Sequence, residues 1–140
     1  MGGSTIHGVT KLFSLWLPLF DKTNFDVKLC VLRDRDAGGE FLESFGVDPI
    51  YLNRGKFSFA TVSDLCQLIK KHNITVLHLH GYGASIFGRI AALKCKIPVV
   101  LHEHMVDLHI PAYQRLADFV LSPLTSMGIA ISDPVSDFMV

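Results

Sequence analysis

The apolar positions of this chain follow two rhythms. In I-T-V-L-H-L-H-G, from Ile74 to Gly81, Ile74, Val76, Leu77 and Leu79 are apolar and β-branched residues open the run. That composition predicts a strand of a parallel sheet, buried on both faces. Shorter runs at Asp26–Leu32, Pro49–Leu52, Pro98–Leu101 and Ile129–Ile131 predict four further strands. Between them the period lengthens. Val9, Leu12, Phe13, Trp16, Leu17 and Phe20 share a helical face, with Ser4 or Thr5 as cap and Pro18 in its last turn. Gly39–Phe45 predicts a short helix stopped by Gly46. Phe59–His72 predicts another, with Val62, Leu65, Cys66 and Ile69 inward and Lys70 and Lys71 at its carboxyl end. Tyr82–Cys95 and about Ile110–Met127 predict two more, the second broken near Pro123. Ser132 or Asp133 caps a final helix, and Arg33-Asp34-Arg35-Asp36 reads as a solvated charged turn. Strands alternating with helices of this length imply right-handed crossovers. The expected fold is α/β, a Rossmann-like parallel sheet with helices on both faces.

The order holds one departure from a doubly wound domain. Such a domain opens on a central strand whose following turn binds phosphate. Here Gly2-Gly3 precedes the first helix and the leading strand is missing. The expected consequence is a gap between the strands at Asp26–Leu32 and Ile74–His80, or their direct pairing.

Composition narrows the picture. A chain of 140 residues fits one domain, and 49% hydrophobic residues support a packed core. Formal net charge is zero, so no basic field points to nucleic acid. Cys30, Cys66 and Cys95 are odd in number and widely spaced, as in a reducing compartment. The apolar stretch Leu12–Phe20 is shorter than the roughly 20 residues of a membrane span. The expected location is the cytoplasm, with peripheral membrane contact as an option.

The chemistry concentrates at two strand ends. His78 and His80 are two apart, so a strand points both to one side. His102-Glu103-His104 ends the run Pro98–Leu101. If the two strands are neighbours, several imidazoles and one carboxylate gather at one sheet edge. Carboxyl ends of parallel strands are where open α/β sheets place ligands. Imidazoles there suit a ligand rich in hydroxyls, such as a sugar, since each can donate or accept a hydrogen bond. A zinc or iron site is the rarer use. Glu103 is a general base by type, and charged neighbouring histidines would favour its ionised form. No nucleophile stands beside a base, and no serine has a G-x-S-x-G context. Gly2 and Gly3, before a helix amino terminus, form a weak anion-binding signal.

Taken in order, these motifs resemble the amino-terminal domain of a GT-B glycosyltransferase of family 4. Gly2-Gly3-Ser4 is similar to the family's Gly-Gly loop, and Val76-Leu77-His78-Leu79-His80-Gly81 to its V-x-H-x-H strand. Ile97-Pro98-Val99-Val100-Leu101-His102-Glu103-His104 resembles its I-P-V-V strand and histidine loop. Ile129-Ala130-Ile131-Ser132, with Val135 to Phe138, resembles its last strand and short helix. The likeness covers nearly the whole chain and implies a retaining sugar transferase. Gly2 and Gly3 would approach the donor phosphate, and His104 would contact the donor sugar as the catalytic residue. His80 would lie near the acceptor side, with His78 and Glu103 as further substrate-binding residues. The implied partners are a nucleotide-sugar donor, a sugar, glycan or lipid acceptor, and a carboxyl-terminal donor domain that these residues do not include. The resemblance thus implies a domain cut at both ends and silent alone, with no metal, no cofactor beyond the co-substrate and no nucleic acid. A standalone flavodoxin-like binding module and a histidine-cluster metal hydrolase are the competing readings.

Overall fold

The computed structural model describes residues 8–106 and 109–139. Gly2 and Gly3 lie outside the described residues. The chain divides into two compact units, Met1–Ser58 and Phe59–Val140.

The first unit contains helix α1 (Gly8–Trp16), strand β1 (Cys30–Val31), helix α2 (Ala37–Ser44) and strand β2 (Ile50–Tyr51). Pro18 has the effect expected of it: the last turn tightens to a 3-10 turn over Leu17–Leu19. Phe13, Leu42 and Val47 form the apolar centre, with Val9, Trp16, Leu17 and Leu29 against it. Strands β1 and β2 pair in parallel, Cys30 opposite Ile50 and Val31 opposite Tyr51. The predicted strand Asp26–Leu32 is thus paired only near its end, because Phe25 and Val27 are exposed. The charged turn is more ordered than a solvated loop. The Asp36 carboxylate accepts from the Gly39 backbone N–H at 3.0 Å and caps α2. Arg35 forks onto Glu43 through Nε at 2.9 Å and reaches Glu40 through Nη1 at 2.9 Å.

The second unit carries helix α3 (Ala60–Lys71), strand β3 (Leu77–His80), helix α4 (Tyr82–Cys95) and strand β4 (Val99–Glu103). Helix α5 (Ala112–Leu121), strand β5 (Met127–Ala130) and helix α6 (Asp133–Met139) follow. The expected helix over Ile110–Met127 ends at Leu121, where Pro123 leaves only a 3-10 turn, Ser122–Leu124. The freed residues let β5 begin at Met127. The sheet order is β3-β4-β5, all parallel. The expected gap or direct pairing concerns strands that fall in different units, Cys30–Val31 in the first and Leu77–His80 in the second.

Registry decides which side chains share a face. Leu79 sits opposite Leu101, and His80 opposite His102. One face of the sheet therefore collects Leu77, Leu79, Val99 and Leu101, which pack with Ala92 and Ile97 from α4 and its end, and with Met139 from α6. Gly88 on α4 lies directly over Leu79, where a side chain would overlap the Leu79 methyl groups. The strand is not buried on both faces as expected, since Val76 is 47% exposed and His78 is exposed. Its alternation is that of a half-buried strand.

Three helices stop in the same way. Gly46, Asn73 and Lys96 each take positive φ, at 76°, 50° and 57°. The next residue then donates back into the helix: Val47 to Leu42, Ile74 to Ile69 and Ile97 to Ala92, at 3.2, 2.9 and 3.1 Å. This is the Schellman arrangement, in which a left-handed residue returns an apolar neighbour to the core. Glycine and asparagine adopt that conformation readily, whereas lysine is strained there. Lys96→Gly should therefore raise stability by about 0.5–1 kcal/mol, read as a higher urea midpoint with unchanged slope. An unchanged or lower midpoint would contradict the strain.

Candidate active site at the ends of β3 and β4

The period of two in a strand, combined with the β3–β4 register, places His78, His80, His102 and His104 on the face opposite the apolar one. Their rings form a continuous group. His78 and His102 stack at 5.4 Å between centroids, His102 and His104 at 4.3 Å, and His80 and His104 at 5.1 Å. His80 Nδ1 and His104 Nε2 are 2.8 Å apart, a hydrogen bond in which one ring donates and the other accepts. The convergence of separate strand ends expected from the sequence is present, and it brings His80 and His104 into direct contact.

The electrostatics follow from burial and from like neighbours. Burial pushes the His80 imidazole down to about 3, and His78, His102 and His104 push it in the same direction. Burial lowers His78, His102 and His104 as well, with neighbouring imidazoles adding to the shift for His78 and His104. Charging one ring penalises the next, so near neutral pH the group is a set of uncharged donors and acceptors. His102 Nδ1 is buried and has no hydrogen-bond partner among the described residues.

Glu103 does not join this group. It alternates to the other face of β4, where its position is level with Ala130 on β5. Burial raises its carboxyl, the His104 backbone N–H lowers it, Asp118 raises it and Arg89 lowers it. Charged flanking histidines would have favoured its ionised form, but burial lowers both His102 and His104, so that condition is not met. Sequence reasoning also left His102 out of the binding residues, although its spacing of two from His104 was the available signal. It missed Arg89 too. That guanidinium is 1% exposed, pairs with Asp118 and donates from Nε to Thr125 Oγ1 at 2.9 Å. A lone cation inside the apolar run from Ile86 to Ala92 was its trace in the sequence.

Between β3 and α4 stands Gly81, with φ 81° and ψ 160°. This region of backbone space is essentially closed to residues with a Cβ. It lets the chain turn directly from His80 into the amino end of α4, where Ser85 N–H bonds the Gly81 carbonyl at 3.0 Å.

A parallel sheet flanked by helices, with polar side chains gathered at strand carboxyl ends, is the Rossmann-like architecture of the amino-terminal half of GT-B enzymes. Residues 8–137 match the Glycosyltransferase Family 4 model, and the chain belongs to that family. Among solved structures it is similar to the crystal structure of a UDP-N-acetylglucosamine 2-epimerase, at 19% identity and a TM-score of 0.69. The match covers 93% of this chain and 40% of that one, so the likeness is one of fold and spans less than half of that molecule. No curated protein sequence matches the chain. No described helix is long and apolar enough to cross a membrane.

Two outcomes follow from this geometry. Gly81→Ala should destabilise the protein by about 1–3 kcal/mol, because the added Cβ is strained whatever space surrounds it; thermal unfolding at an unchanged midpoint would count against it. The second concerns acid. His80 titrates at about 3 when folded against 6.5 as its ordinary value, so below pH 6.5 the unfolded chain binds more protons. Its contribution to stability is complete above pH 6.5 and is lost as pH falls towards about 3. With EDTA present to keep adventitious ions off the rings, urea midpoints should fall through this window, and less steeply in His80→Gln. Parallel pH profiles for the two proteins would refute the assignment.

Proposed function

We propose that this domain is the acceptor-side half of a retaining glycosyltransferase, which moves a sugar from a nucleotide-sugar donor to a glycan, lipid or small-molecule acceptor. The observation that carries the reading is the group of uncharged imidazoles at the carboxyl ends of β3 and β4, in a chain of family 4. An uncharged imidazole presents one N–H donor and one nitrogen acceptor, which suits sugar hydroxyls better than a cation does. In this reading His104 contacts the donor sugar, while His80 and His78 hold the acceptor. Gly2 and Gly3, outside the described residues, approach the donor phosphate. Glu103 stands apart from this hydroxyl-binding set because it occupies the opposite face.

Transfer itself belongs to a two-domain cleft. A second domain grips the nucleotide, and cationic groups and helix dipoles there stabilise the charge growing on the leaving diphosphate. The nucleotide sugar is a co-substrate, and the reaction uses no separate cofactor. Contact with a membrane surface is part of the same proposal for a lipid acceptor. Leu116, Phe119 and Val120, at helical spacing on α5, are 64%, 77% and 62% exposed.

The test is nucleoside diphosphate release by this domain joined to a family 4 donor domain, across a panel of UDP- and GDP-sugars, with the anomeric configuration of the product read by NMR. Release with retention is expected. His104→Ala should lower kcat/KM for the donor by about 10–100-fold, equivalent to about 1.4–2.7 kcal/mol of transition-state stabilisation. His80→Ala should act mainly on the acceptor KM. Inversion of configuration, or both variants matching the wild type, would sink the proposal.

A further inference from the structure

The same rings have a second chemical capacity. The nitrogen atoms that His78, His80 and His102 can offer to an ion all lie within 4.8 Å of one another. A tetrahedral zinc ion with metal–nitrogen bonds of about 2.0–2.1 Å holds its ligand nitrogens roughly 3.3 Å apart. Closing the group therefore asks each ring to move by about an ångström, within the reach of small χ1 and χ2 rotations. His78 is exposed, and His80 and His102 are half-buried, so the rings have room to turn and an ion has a route in.

Two further observations point the same way. The buried His102 Nδ1 lacks a hydrogen-bond partner among the described residues, and a cation is a partner that a ring nitrogen in a group of imidazoles can accept. His80 meets His104 through Nδ1 at 2.8 Å. A histidine that ligates a metal through one nitrogen commonly donates the N–H of the other to a neighbour, which fixes its tautomer and aims the ligating atom.

We propose that His78, His80 and His102 form a binding site for a zinc-class divalent ion, with His104 as the residue that orients His80. A set of three imidazole nitrogens selects zinc, copper, nickel or cobalt over magnesium and calcium, which require oxygen ligands. The ion is not a cofactor of sugar transfer. It occupies the lone pairs that would otherwise receive hydroxyl groups, so it blocks the acceptor side. The binding claim does not depend on the transferase reading, because it is measured without any sugar.

The experiment uses purified protein stripped with EDTA, then titrated with zinc by calorimetry and with cobalt by visible absorption. One equivalent of zinc should bind, and cobalt should give the intense bands of a tetrahedral nitrogen site. Magnesium should give no heat. His78→Gln changes an exposed residue, so the fold survives, as circular dichroism would verify; it should weaken zinc by more than tenfold, as should His102→Asn. His104→Ala should weaken it by about 10-fold through the lost orientation of His80. His72→Gln, outside the group, should bind as the wild type does. Absence of saturable zinc binding, or full binding in a folded His78→Gln, would overturn the site. Zinc binding by this chain, with no sugar transfer once it is joined to a donor domain, would leave the site standing and remove the transferase reading. Sugar transfer by the two-domain enzyme, with a chain that ignores zinc, would do the reverse.

Discussion

The arrangement depends on the pairing register of β3 with β4. Leu79 opposite Leu101 and His80 opposite His102 are one statement, because side chains in a strand alternate at a period of two. A slip of one residue would put imidazoles against α4 and leucines in water. The apolar face resists that slip. Burying a leucine is worth about 1.5–3 kcal/mol, and Leu79 and Leu101 are both almost fully buried. Gly88 adds a steric key, since only a residue without a side chain leaves space for Leu79 beneath α4. The chemistry of one face is therefore positioned by the packing of the other.

The segments around this sheet are held by few polar contacts, each at a junction. Arg89 ties α4 to Asp118 on α5 and to Thr125 before β5. Removing an arginine from water is costly, and a buried ion pair seldom returns more than that cost. Its value is geometric: it gives the loop between β4 and β5 one anchoring point. Ser126 works alongside it, its hydroxyl accepting from the Val99 N–H at 3.1 Å while its own N–H bonds the Val99 carbonyl at 2.9 Å. Together these contacts set where β5 enters the sheet, and hence which residues flank His102 and His104.

Uncharged imidazoles in contact are an uncommon choice, and burial explains them. Each ring would be charged about half the time near its ordinary pKa in water. Here desolvation acts on every ring of the cluster, neighbouring imidazoles add to it for His78, His80 and His104, and Glu103 alternates to the opposite face and does not offset them. Had Glu103 turned to the same side, it would have stabilised imidazolium and produced a cationic site suited to anions instead. One position of strand parity separates these two chemistries.

The order of strands and helices was legible in the chain, because apolar spacing reflects local geometry: the helices Tyr82–Cys95 and Ala60–Lys71 lie within a residue or two of their predicted ends. Gly46 announced its helix stop through its own conformational freedom. Lys96 did not, since the left-handed state there is imposed by the return of Ile97 to the core. The pairs His78/His80 and His102/His104 were likewise visible as spacings of two. Their meeting was not, because it rests on hydrogen bonds between strands more than 20 residues apart in sequence. The same holds for the side on which Glu103 falls, for the short pairing of β1, and for the burial of Arg89. Periodicity is a property of neighbours along the chain, whereas ladder register and desolvation arise from neighbours in space.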